Sequence, residues 1–162
     1  RVDRRQRQMC IRDRYKTGFT MPMFSCVKQC SQVFGESFTS FNPAVPIIAD
    51  GGIKHNGDIA KALVAGATMA MAGGMFASCS DSPAACRIIG NVTHKAYFGS
   101  ASAENKGHNN NIEGKLTNIP CNNMTIGQKL AEITQDLQSS ISYAGGNNLE
   151  AFKDNNVAYI EV

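Results

Sequence analysis

The chain has 162 residues, 43% of them hydrophobic and 18% charged, and a formal net charge of +3. This balance is typical of a soluble globular protein, and no apolar run approaches the roughly 20 residues of a membrane-spanning helix. The six cysteines form no CxxC pair and no metal-ligand spacing, which predicts reduced thiols in the cytoplasm and no metal site.

The positive charge is concentrated in residues 1–14. They hold six of the sixteen Lys and Arg but two of the thirteen Asp and Glu, so the remainder carries ten cations and eleven carboxylates. The folded part, residues 15–162, therefore gives no reason to expect a nucleic-acid surface. Residues 1–14 show no helical or strand period, which predicts a disordered basic head, and they resemble translated adapter sequence more than protein.

The folded part, residues 15–162, begins with a predicted loop and an amphipathic helix. Lys16-Thr17-Gly18 forms the loop, and Phe24, Val27, Cys30 and Val33 supply the apolar face of the helix. Cys26 and Cys30, four residues apart on that face, are interpreted as small buried hydrophobes. A Ser/Thr-rich connection then leads to the next element.

A strand-helix-strand unit follows. Val45–Ala49 is an apolar run that predicts a buried strand, and it stops at Asp50-Gly51-Gly52. Asn56-Gly57-Asp58 can cap a helix that Gly66 closes. Thr68–Ala72 predicts a second strand, which ends in Gly73-Gly74. The two strands should be parallel, with both glycine pairs at one edge.

Glycines at the carboxyl ends of parallel strands let backbone N–H groups approach a phosphate closely. Asp50 beside them can accept hydrogen bonds from two ribose hydroxyls. The alternative is structural: the glycines only make tight turns and Asp50 only caps a helix. Two glycine pairs at matched strand ends favour the phosphate site over that alternative.

The same residues resemble a known family. Residues 47–53, 57–63, 66–67 and 71–77 are similar to the nucleotide core of the IMP dehydrogenase and GMP reductase family, without gaps. The resemblance implies that Asp50 holds the ribose hydroxyls of a purine nucleotide. It also implies that Gly51, Gly52, Gly73 and Gly74 hold the 5′-phosphate.

Downstream of this core, Ser78–Ile89 predicts a turn and a short helix, and Asn91–Pro120 shows no regular pattern. Within it, residues 97–102 and 112–115 resemble the active-site flap of the family. The resemblance implies a proton-transfer role for Glu113. It implies substrate contacts for the following residues: Gly99, Ser100, Ala101 and Gly114.

The last clear element is a helix over Thr125–Tyr143, with an apolar residue every three or four positions, ended by Gly145-Gly146. Asn147–Lys153 predicts a short helix and Val157–Val162 a terminal strand.

The nucleophile of the family is not found in this sequence. The family uses a loop cysteine that attacks C2 of the purine, followed by a threonine and then by the Lys-Thr-Gly. Cys10 is followed by Ile11 and Arg12 and lies one residue too far from Lys16. Cys10 is therefore interpreted as a coincidence within the head.

Together these features predict an α/β fold that is the C-terminal part of a TIM (β/α)8 barrel: helix 6, strand 7, helix 7, strand 8, the flap and helix 8. Lys16-Thr17-Gly18 and Ser139-Ser140-Ile141 resemble the GMP reductase branch. The resemblance implies NADPH-dependent reductive deamination of GMP to IMP, a tetramer in the whole enzyme, and room for a monovalent cation such as K⁺. Two alternatives stay open: a fragment of an NAD-dependent IMP dehydrogenase, and a non-catalytic remnant that binds nucleotide phosphate. The chain alone is expected to be inactive.

Overall fold

The computed structural model describes residues 21–35, 45–99, 102–107 and 116–153. The elements in chain order are α1 (Met23–Gly35), β1 (Ile48–Asp50), α2 (Asn56–Val64), β2 (Met69–Met71), α3 (Gly74–Ala77), β3 (Cys86–Ile89), β4 (Val92–Tyr97), α4 (Ala103–Lys106), β5 (Thr117–Pro120), α5 (Ile126–Tyr143) and a final 3-10 helix (Leu149–Lys153). They fall into two compact units: the parallel unit, within Pro22–Ala72 and Leu130–Val162, and the antiparallel unit, within Gly73–Lys129. Within the described ranges, no helix combines the length and apolar character needed to cross a membrane.

The parallel unit contains the predicted strand-helix-strand arrangement. β1 and β2 pair in parallel, with Ile48 opposite Met69 and Asp50 opposite Met71. Ala49 is buried, whereas Ile48, Met69 and Met71 are each about half exposed because they lie on the other face of the strand pair. The prediction of parallel strands is confirmed, although both strands are shorter than the apolar runs.

Helix α2 begins at Asn56, directly after His55, and a carboxylate caps its N-terminus. Asp58 Oδ2 accepts hydrogen bonds from the backbone N–H of Lys54 (3.0 Å) and of His55 (2.9 Å). Asp58, the third helical residue and one of the three predicted capping residues, therefore binds the backbone donors just before the helix. At the other end Gly66 adopts φ +103°, and Ala67 N–H reaches back to Ala62 O (3.0 Å), the pattern of a glycine-closed helix.

Helix α1 packs on this closing turn. Val27 is buried, and Ser31 Oγ donates to Ala65 O at 2.9 Å. A Cβ on Gly66 would collide with the Ser31 side chain. Gly66 is therefore required twice, for its backbone angle and for the close approach of α1.

The antiparallel unit corrects the sequence-based prediction for residues 78–120. Cys86–Ile89 is strand β3 rather than helix, and it pairs with β4, which pairs in turn with β5. Gly90 (φ +62°) and Asn91 form a two-residue hairpin turn between β3 and β4. The strands escaped prediction because all of β3 and the start of β4 are exposed, so no polar-apolar alternation marks them.

A buried lysine fixes the turn that precedes β3. Lys95 on β4 is 3% exposed, and its Nζ donates to Ser82 O (3.0 Å), Ser80 O (3.1 Å) and Ala84 O (3.4 Å). Asp81 in the same turn accepts a hydrogen bond from Ile126 N–H at 2.8 Å. The Lys95 ammonium group thus stabilises a turn whose Asp81 also caps the N-terminus of α5.

Helix α5 confirms the longest predicted helix. Thr125 and Gln128 exchange side-chain to backbone hydrogen bonds at its start, 3.2 and 2.9 Å long. Gly145 (φ +82°) ends it, with Gly146 N–H bonded to Ile141 O. No residue of α5 is buried among the described residues. The predicted short helix at 147–153 is the 3-10 helix, and the predicted strand Val157–Val162, the head and Lys16–Gly18 lie outside the described residues.

Candidate functional site

The carboxyl ends of β1 and β2 carry the first group of predicted site residues. Asp50 is the last residue of β1 and lies opposite Met71, the last residue of β2. Because the strands are parallel, both chains leave the sheet at the same edge. Asp50 is exposed there, so its carboxylate is available to a ligand from solvent.

The glycine pair after Asp50 adopts a conformation that other residues avoid. Gly51 has φ +106° and Gly52 has φ +74°. A side chain at either position would be strained, at a cost of about 1–2 kcal/mol per residue. The two angles turn the chain sharply after β1, and Ile53 then enters the core at 5% exposure. These angles explain why both positions are glycine, and they fit a tight turn as well as the predicted phosphate site.

The second glycine pair is required for a different reason. Gly73 has φ −96°, which any residue tolerates, but a Cβ there would collide with the Tyr97 hydroxyl. A Cβ on Gly74 would lie 3.9 Å from the Tyr97 ring, an ordinary contact. Gly73 and Gly74 thus form a surface without side chains, against which the phenol of β4 rests.

Tyr97 lies against Gly73, a contact that the sequence interpretation did not identify. The contact joins residues 24 positions apart in the chain, and no spacing rule connects a strand tyrosine with a distant glycine pair. The available signal was its place directly before Phe98-Gly99, at the start of the flap pattern. A phenol donor beside side-chain-free backbone is a suitable arrangement for an anionic oxygen.

The beginning of the flap is closed by short-range hydrogen bonds. Gly99 O accepts from Ser102 N–H at 3.0 Å and from the Asn105 side chain at 3.4 Å. A Cβ at Gly99 would meet only open space, so this glycine has room for a ligand beside it. Ser102 is fully buried. The remaining predicted flap residues, Ser100, Ala101, Glu113 and Gly114, lie outside the described residues.

Asp58, in the parallel unit, has a lowered pKa. Partial burial acts to raise its pKa, but the backbone N–H groups of His55 and Lys54, with Lys61 nearby, outweigh it and hold the pKa below its ordinary value. The group is therefore ionised at neutral pH and serves the helix rather than proton transfer.

Comparison with known proteins identifies the family of the chain. A family model described as "IMP dehydrogenase / GMP reductase domain" matches residues 8–162, nearly the whole chain. The chain belongs to this family. The resemblance to the IMP dehydrogenase and GMP reductase family is thereby confirmed.

Curated relatives within the family carry the name GMP reductase. The chain is 45% identical over 147 residues to that of Chromobacterium violaceum, 51% over 116 residues to that of Oenococcus oeni and 51% over 108 residues to that of Helicobacter pylori strain J99. These alignments cover 91%, 72% and 67% of this chain but 43%, 36% and 33% of the relatives. The chain therefore spans about two fifths or less of the length of these relatives.

Proposed function

We propose that this chain is the nucleotide-binding part of a GMP reductase, an oxidoreductase of purine salvage in the cytoplasm. The whole protein would convert GMP to IMP and ammonia. The observation that carries the proposal is the parallel register that ends β1 at Asp50 beside Met71, with a glycine pair following each strand. The GMP reductases among its relatives favour this branch of the family over IMP dehydrogenase.

In this proposal Asp50 accepts hydrogen bonds from the two ribose hydroxyls. Gly51, Gly52, Gly73 and Gly74 direct backbone N–H groups to the 5′-phosphate. The angles of Gly51 and Gly52 and the contact of Gly73 with Tyr97 support these roles. None of these groups changes charge during the reaction, so they bind and orient the substrate.

The flap would close over the purine. Gly99, Ser100, Ala101 and Gly114 contact the base, and Glu113 exchanges protons with it. NADPH supplies the hydride when bound. A cysteine, supplied by a part of the enzyme that this chain does not carry, attacks C2 of GMP and releases ammonia before IMP is formed.

We further propose that the fold is the C-terminal part of a TIM barrel. Parallel strands are almost always covered on both faces, yet Ile48, Met69 and Met71 are about half exposed on one face of β1 and β2. Barrel strands from the rest of the enzyme would cover that face. The same proposal includes a tetramer and a monovalent cation such as K⁺ in the whole enzyme, and binding without turnover by the 162-residue chain.

The deciding experiment uses the whole protein and follows absorbance of the reduced cofactor in both directions. GMP-dependent oxidation of NADPH, with IMP and ammonia as products, supports the proposal. NAD-dependent oxidation of IMP without reduction of GMP would replace it with the dehydrogenase. Calorimetry of the 162-residue chain with GMP, beside a turnover assay, then tests whether the chain alone binds and whether it is inactive.

A further inference from the structure

Helix α1 carries a row of sulfur-containing side chains outside the candidate nucleotide site. Cys26 and Cys30 are four residues apart and lie one above the other on the helix surface. Both are partly exposed, and partial burial together with the neighbouring Cys30 raises the pKa of the Cys26 thiol. Met23, three residues before Cys26, lies on the same face by helical periodicity. The row therefore places two thiols and one thioether on one side of one helix.

The spacing of Cys26 and Cys30 suits a bridging metal ion better than a disulfide bond. Residues four apart on a helix have Cβ atoms about 5–6 Å from each other, whereas a disulfide requires about 3.5–4.5 Å. A direct S–S bond would thus distort α1. A metal ion with two bonds to sulfur of about 2.3 Å each spans roughly 4.6 Å between the sulfur atoms, which the undistorted helix can accommodate.

We propose that Cys26 and Cys30 form a two-coordinate site for a soft monovalent cation of the Cu(I) class, with the Met23 thioether as an additional weak ligand. Soft thiolate and thioether ligands select Cu(I). Structural zinc sites need four ligands, and the described residues contain no cluster of three or more His, Cys, Asp or Glu that could hold a metal. Binding replaces two thiol protons with one Cu(I), which releases two protons and changes no oxidation state. This proposal differs from the prediction, made from cysteine spacing, that the chain holds no metal site.

The test is an anaerobic titration of the 162-residue chain with Cu(I) against a coloured Cu(I) chelator. We expect tight binding of one ion that C26S and C30S each weaken by about 100-fold, with M23L weakening it by about tenfold. C86S is the matched control, because Cys86 is an exposed cysteine on β3, and it should leave the affinity unchanged. Unchanged affinity in C26S or C30S, or an equal loss in C86S, would overturn the proposal.

A second measurement needs no variant, so a folding defect cannot obscure it. The wild-type chain is alkylated with iodoacetamide with and without one equivalent of Cu(I), and each cysteine-containing peptide is quantified by mass spectrometry. Selective protection of Cys26 and Cys30 supports the site. Equal alkylation of both with and without Cu(I), or protection of other cysteines instead, refutes it. Neither result depends on the nucleotide chemistry, so this proposal and the proposed function can fail separately.

Discussion

Substitution of Gly73 by alanine tests the contact between Gly73 and Tyr97, beside the second glycine pair of the proposed phosphate site. At φ −96° alanine strains no backbone, so any effect comes from the new methyl group. That methyl would collide with the Tyr97 hydroxyl and lie 3.2 Å from Cζ and 3.3 Å from Cε2 of the same ring. Overpacking of this kind costs about 1–3 kcal/mol. We expect G73A to lower the free energy of unfolding by about 2 kcal/mol.

The partner residue makes this prediction sharper. Y97F removes the oxygen that the methyl would strike and leaves ring carbons at distances that a small shift can relieve, so Y97F should recover about half or more of the loss in a double variant. G74A is the matched control, because its methyl meets only an ordinary contact at 3.9 Å, and its stability should change by less than about 0.5 kcal/mol. Urea unfolding of wild type, G73A, Y97F, G74A and the G73A/Y97F double variant measures the free energy of unfolding of each protein. Equal destabilisation by G73A and G74A, or strictly additive effects of G73A and Y97F, would refute the proposed contact.

Further predictions concern charged residues. K95M should lower the free energy of unfolding by about 2–4 kcal/mol in a urea titration, since three carbonyls lose their donor. The control K54M, at an exposed lysine, should change the free energy of unfolding by less than about 0.5 kcal/mol. An equal loss of stability in K95M and K54M would contradict the structural role of Lys95. Because the folded pKa of Asp58 is lowered, its stabilising effect is present above the unfolded value of about 3.9 and disappears as pH falls through the folded pKa. D58N should therefore show a shallower loss of thermal stability between about pH 5 and 3, and a slope equal to wild type would exclude the effect. D50A in the whole enzyme should weaken GMP binding in calorimetry by about 10- to 100-fold with unfolding unchanged; unaltered affinity would remove Asp50 from the site.

The sequence allowed prediction of the parallel unit because its signals are local and mutually consistent. Two apolar runs, a capped helix between them and a glycine after each element leave few other arrangements. The first strand begins later than predicted because Val45 and Pro46 lie before the paired residues, whereas Asp58 caps the helix within the predicted Asn56-Gly57-Asp58 segment.

The antiparallel unit could not be predicted in the same way. Its hairpin is short and exposed, so the pattern that marks a half-buried strand is missing. The Gly90-Asn91 turn between Ile89 and Val92 was the one local signal that could have indicated it. Lys95 inside the fold and Tyr97 beside Gly73 depend on contacts between distant residues, which only the three-dimensional structure supplies.

The uncovered face of β1 and β2 determines how the isolated chain should behave at the bench. Ile48, Met69 and Met71 offer water a patch of aliphatic and thioether groups beside a single carboxylate. Such a patch makes molecules adhere to one another as they become crowded. Light scattering should therefore rise steeply with protein concentration, and a charged replacement such as M69K should flatten that rise.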